Sequence, residues 1–152
     1  MFKNTRKALI GAKAATIARR HVPWVAALAL SSPVWAADAA PAWHSASGNA
    51  GYMCGGISDE GMAALKTHKR DANAELLFTE GAERAWVSGV AVTVRGGGLQ
   101  QPLQFTADGP SCLLRLPDGD YMVQASYKDV PRSQNVKVGG ASSQTVFNWP
   151  AK

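Results

Sequence analysis

The chain is 152 residues long, room for one domain, and carries 16 Lys+Arg against 11 Asp+Glu for a formal net charge of +5. Such an excess points to nucleic acid only when it is spread over a folded surface, and here it is confined to the start of the chain. Residues 1–36 hold six of the basic residues and none of the acidic ones, which leaves ten basic and eleven acidic side chains, a formal charge of −1, for residues 37–152. Without a basic patch to neutralise phosphates, nucleic-acid binding drops out.

In chain order, the first segment has the composition of a signal peptide. Lys3, Arg6, Lys7, Lys13, Arg19 and Arg20 precede an apolar run from Val22 to Leu30. Ser31, Ser32 and Pro33 break that run, and Val34-Trp35-Ala36 offers suitable residues at −3 and −1 for cleavage before Ala37. The run between Pro23 and Pro33 is well short of the roughly 20 residues that span a bilayer. Export with removal of residues 1–36 is therefore expected over a retained anchor, with no stable membrane insertion afterwards and a periplasmic or secreted location.

Residues 37–51 are small, polar and aperiodic and read as a flexible linker. Residues 52–72 form an N-terminal segment containing one short amphipathic helix at about 59–69. Ser58 stands at its N-cap, Asp59 and Glu60 in its first turn, and Lys66, Lys69 and Arg70 near its end, each where the backbone dipole favours it. Met62, Ala63 and Leu65 supply a narrow apolar stripe.

From Asn73 the period changes to two, the mark of strands with one wet face. Apolar positions alternate through Ala74–Thr79, through Val90, Val92 and Val94, through Leu103 and Phe105, and through Cys112, Leu114 and Leu116. The pattern continues through Tyr121, Val123, Ala125 and Tyr127, then Val136 and Val138, then Thr145, Phe147 and Trp149. Gly96-Gly97-Gly98, Pro117-Asp118-Gly119-Asp120 and Gly139-Gly140 punctuate as turns. Seven short strands need two facing layers to hide their apolar sides. The expected fold is all-β: a seven-stranded Greek-key β-sandwich over residues 73–149 with one short N-terminal helix. An outer-membrane barrel fits poorly, since its strands run about 9–11 residues with apolar side chains toward lipid.

Val87-Ser88-Gly89-Val90-Ala91-Val92-Thr93-Val94 and Leu114-Arg115-Leu116-Pro117-Asp118-Gly119-Asp120-Tyr121-Met122-Val123-Gln124-Ala125 resemble the strand theme G-V-x-V-x-V and the closing theme L-P-x-G-x-Y-x-V-x-A of carboxypeptidase regulatory-like domains. The resemblance covers about residues 74–139. It implies the transthyretin-like (prealbumin) sandwich and scaffold or recognition work without catalysis. The chain departs from the pattern at Asp108-Gly109-Pro110 and in its added Cys54-plus-helix segment.

Cys54 and Cys112 are the only cysteines. An even count in a small exported domain favours a disulfide, tying the helical segment to the strand before Pro117. A metal site is weakly supplied: residues 37–152 offer only His44 and His68, and the soft set Met53, Cys54, Met62 and His68 is not singled out by spacing. For catalysis, Asp59-Glu60 suits a helix start and Asp118/Asp120 a solvated turn, and neither histidine has a strand-end setting as a base. The hydroxyisourate hydrolases share the transthyretin-like fold, but their histidines and C-terminal Tyr-Arg-Gly-Ser are missing; this chain ends Phe147-Asn148-Trp149-Pro150-Ala151-Lys152.

The reading is thus a non-enzymatic accessory domain without metal or cofactor, binding a periplasmic protein or a glycan. A small periplasmic hydrolase and a metal carrier are the alternatives. Among aromatic residues that could stack on a ligand (Trp43, Tyr52, Trp86 and Trp149), Trp149 is expected in the core, Trp86 inward by parity with Val90 unless Gly89 introduces a bulge, and Trp43 exposed. The loops Gly96–Gln101 and Lys128–Ser133 are the expected places for function on a rigid frame.

Overall fold

The computed structural model describes residues 40–152. The expected signal peptide and its cleavage point, with the first residues of the linker, lie outside them. Among the described residues no helix is long and apolar enough to cross a membrane.

The protein is mostly β, in two sheets. Its strands are β1 (His44–Ser45), β2 (Gly51–Gly55), β3 (Ala74–Glu80), β4 (Ala85–Trp86), β5 (Val90–Gly96), β6 (Leu103–Ala107), β7 (Ser111–Arg115), β8 (Gly119–Tyr127), β9 (Val130–Val138) and β10 (Ser143–Trp149). The one α-helix among the described residues, α1 (Asp59–His68), runs into a 3-10 turn at Lys69–Asp71. The first sheet has the order β1-β2-β7-β3-β10 with β4 also on β3; the second has the order β6-β5-β8-β9. β3 and β10 pair in parallel, and the other pairs are antiparallel.

Among the described residues ten strands stand where seven were expected. The expected strands correspond to β3 and β5–β10, and β1, β2 and β4 are additions. The additions are short or rich in glycine, so alternation gives them no signature. Part of the expected linker is likewise ordered: His44 and Ser45 pair with Tyr52 and Gly51, and Ala50 is buried. Pairing to β2, rather than any apolar pattern of its own, holds this segment.

Both sheets contribute to one core, giving a sandwich-like arrangement. Val90, Val92 and Val94 from β5, Tyr121, Val123 and Ala125 from β8, and Leu76, Phe78, Leu114, Phe147 and Trp149 from the first sheet meet there, each at most 2% exposed. Polar groups close the sandwich at its margins. The Trp149 indole Nε1 donates to the Val130 carbonyl at 2.8 Å and Gln134 Nε2 to the Val146 carbonyl at 2.7 Å, joining β9 to the rim of β10. Asn73 acts as a stretch of backbone, its Nδ2 donating to the Leu116 carbonyl at 2.6 Å and its Oδ1 accepting from Leu116 N–H at 3.0 Å.

Pro117-Asp118 carries the chain from the first sheet to the second, so this turn is an inter-sheet corner and not a hairpin. The Tyr121 hydroxyl secures the corner by donating to the Pro117 carbonyl and accepting from Gly98 N–H. Its ring lies so close to Gly97 that a Cβ there would fall 2.2 Å from Tyr121 Cζ, which fixes the start of the Gly96–Gln101 loop. Lys128–Ser133, expected as an open loop, is a hairpin turn followed by the start of β9. Lys128 (φ 48°) and Asp129 (φ 63°) form that turn in the left-handed region, the type a two-residue hairpin demands and usually fills with Asn and Gly.

Candidate recognition groove

Side chains on β7 break the alternation. Ser111, Cys112, Leu113 and Leu114 are all buried, because the strand has a neighbour on each face. Cys112 and Leu114 point into the core, and Leu113 points outward to meet Met53 and Leu65. Leu65 comes from α1, which lies on the outer face of the first sheet. Ser58 starts that helix by accepting from Gly61 N–H at 3.1 Å, with Asp59 and Glu60 in the first turn as expected. Of the expected stripe, Leu65 is buried and Met62 half-buried, while Ala63 faces water.

The disulfide joins Cys54 and Cys112, which stand directly opposite each other on β2 and β7 with their Cα atoms 4.1 Å apart. It locks the two strands whose outward residues, Met53 and Leu113, form the seat of the helix. The expected pairing and its expected role agree with this geometry.

Helix α1 covers Met53 and Leu113 and leaves part of the outer face bare. The bare part is open as a groove of about 260 Å³. Its floor is a pair of cross-strand couples, Leu77 opposite Ser111 and Glu75 opposite Leu113. Met62, Leu65, Lys66 and Lys69 make the helical wall, and Pro110 and Trp86 complete the far side. Trp86 sits on β4 opposite Thr79, two residues along from Leu77 and so on the same face, and is 62% exposed.

Parity counted back from Val90 misplaces Trp86 because the phase slips between them. Val87 and Val90 are both buried although three residues apart, and Gly89 between them takes φ +74°, a conformation costly for other residues. The slip turns Trp86 outward.

Charge in the groove is uneven. Glu75 is 13% exposed and heavily engaged: Lys69 Nζ lies 2.9 Å from its Oε2, Gln144 Nε2 donates to the same oxygen at 3.1 Å, and Ser111 Oγ donates to Oε1 at 3.3 Å. Lys66 pairs with no carboxylate among the described residues. Two lysines against one satisfied carboxylate leave the groove with a surplus positive charge.

The other residues considered from sequence lie elsewhere. Trp43 is half-buried against Met53, Leu65 and Leu113, with the Arg115 guanidinium 4.7 Å above its ring, so it is packed where exposure was expected. Tyr52 is stacked between Phe105 (4.1 Å) and His44 (4.9 Å) and has no free ring face. Trp149 fills the core as expected. His44 shares the inward face of Tyr52 and Cys54, whereas His68 ends the helix on the outward face, its Nδ1 3.3 Å from Asp71 Oδ2. The two histidines are thus on opposite faces of one sheet. The soft metal set is dispersed too: the Cys54 sulfur is bonded to Cys112, and Met53 points to the face opposite it.

Leu77 and Leu113 were not singled out by sequence, and Lys66 only as a helix-end charge, although a signal existed for the two leucines. Leu76-Leu77-Phe78 and Cys112-Leu113-Leu114 are consecutive apolar triplets inside otherwise alternating strands, and such runs mean burial on both faces. Neither a comparison with protein-family models nor one with curated proteins finds a match for this chain.

Proposed function

We propose that this is an exported, non-catalytic recognition or accessory domain that binds a periplasmic or extracellular protein through the groove between α1 and β4. The finer architecture we assign it is the Greek-key sandwich of the carboxypeptidase regulatory-like, transthyretin-like type. The observation that carries the functional reading is Trp86, 62% exposed beside Leu77 on a sheet face part of which is already covered. Large aromatic residues held on rigid strands are the usual anchors of protein interfaces. The lining is mostly apolar with few polar groups, which suits a protein side chain better than a glycan. The Cys54–Cys112 bond fits an oxidising compartment. Catalysis is disfavoured by two histidines on opposite faces of the sheet.

A photo-reactive amino acid placed at Trp86, and in parallel at Met122 on the far side of the sandwich, tests the reading in intact cells. A partner of defined mass linked at position 86 and not at 122, and competed away by untagged wild-type protein but not by a Leu77→Asp variant, is the expected result. Equal labelling at the two positions would contradict it.

A further inference from the structure

Resting on the groove as the recognition surface, its dimensions and charge specify what it recognises. At about 260 Å³ it is smaller than the roughly 300–1,000 Å³ of ordinary small-molecule sites. Its mouth reaches the surface at the exposed Trp86 ring, so its occupant is a single side chain of a larger chain that continues past the rim. Leu77, Leu113, Leu65, Met62 and Pro110 make the interior apolar, which selects a bulky aliphatic or aromatic side chain.

The rim selects the neighbour of that side chain. Glu75 is held by Lys69, Ser111 and Gln144, so it presents little unsatisfied negative charge to an incoming group. Lys66 stands on the helical wall with its ammonium uncommitted among the described residues. Glu80, at the end of β3, is likewise occupied, its Oε1 lying 2.9 Å from Lys128 Nζ. We infer that the groove takes an acidic peptide segment, one bulky apolar residue flanked by carboxylates, with the apolar side chain seated between Leu77 and Trp86 and a carboxylate on Lys66. Opposite charge at a rim steers encounter and fixes register more than it adds affinity, so the discrimination is modest and sensitive to salt.

Three short peptides that differ only in flanking charge provide the test: acetyl-Glu-Phe-Glu-amide, acetyl-Gln-Phe-Gln-amide and acetyl-Lys-Phe-Lys-amide. Each is titrated into 15N-labelled protein while the Trp86 indole N–H is followed by NMR at low and at high salt. The acidic peptide is expected to bind about three- to tenfold more tightly than the neutral one at low salt, as one or two surface ion pairs allow. Lys66→Gln, an exposed helical substitution, should collapse that ratio toward one while leaving binding of the neutral peptide in place. Equal affinity of acidic and neutral peptides, or preference for the basic one, would overturn the acidic assignment and leave the groove as an apolar recognition surface. If none of the three moves the Trp86 signal, the groove reading falls together with this inference.

Discussion

The outer faces of the two sheets share a strand geometry and differ in what lies on them. On the second sheet, Thr93, Arg95, Gln104, Thr106, Gln124, Asn135 and Lys137 meet water, with Met122 the one large apolar residue among them, 53% exposed. On the first, Met53 and Leu113 lie beneath α1, and Leu77 with Trp86 continues the apolar surface past the edge of the helix. An antiparallel sheet needs only one covered face. A second apolar face therefore calls for a cover, and α1 supplies part of one. The uncovered part is where binding is to be sought.

Breaking the staple under the covered part should have the largest effect. Replacing Cys54 and Cys112 together by alanine releases a loop of 58 residues and should lower unfolding stability by about 4 kcal/mol in the chain-entropy account. Urea denaturation of the double variant and of reduced wild-type protein checks this, and the two should agree.

Next comes a direct contrast between the faces. Leu113→Ala, which opens a cavity between α1 and the sheet, should cost about 2–4 kcal/mol. Met122→Ala on the other outer face should fall within about 0.5 kcal/mol of wild type. Similar urea midpoints for the two variants would mean that the helix does not rest on the first sheet. Asn73→Ala removes both partners of the Leu116 backbone and should cost about 2 kcal/mol, near 1 per hydrogen bond, measured in the same way. Trp86→Ala should change stability by less than about 1 kcal/mol, since the ring is mostly in water, yet the untagged variant should fail to compete away the partner cross-linked at the groove.

The smallest effect is at the edge joining the sheets. Hydrogen bonds to Glu80 and then Tyr127 hold the Lys128 ammonium above its ordinary pKa of 10.5, against slight desolvation. A pKa raised on folding gives stability that is fully present below 10.5 and is lost as pH rises through the folded value. Lys128→Gln should flatten the alkaline limb of a pH–stability curve, followed by urea midpoints between about pH 8 and 11.

Sequence made the frame legible because alternation is a physical record of one wet and one dry face. The valine row on β5 and the Tyr121–Ala125 row on β8 both carried it, and both are buried. Ser58 and the acidic first turn likewise marked where α1 begins. The candidate site was harder to read, since each of its parts departs from alternation. Trp86 faces out because Gly89 slips the phase, the exception the parity argument allowed without deciding. Leu113 and the half-buried Leu77 lie on the face assumed to be wet, and how far each is covered depends on where a helix outside their strands docks. The Lys128–Asp129 turn was missed for a related reason: neither residue is a customary occupant of left-handed hairpin positions, and pairing of β8 with β9 imposes the conformation.

The openness of Trp86 tests the whole account most directly. In protein labelled with 5-fluorotryptophan, a soluble paramagnetic agent relaxes each fluorine resonance according to its exposure. Among Trp43, Trp86 and Trp149, the Trp86 signal, assigned by its loss in Trp86→Phe, should relax most strongly, Trp43 less, and Trp149 hardly at all. A Trp86 resonance as protected as that of Trp149 would show that the outer face is closed and that no groove awaits a partner.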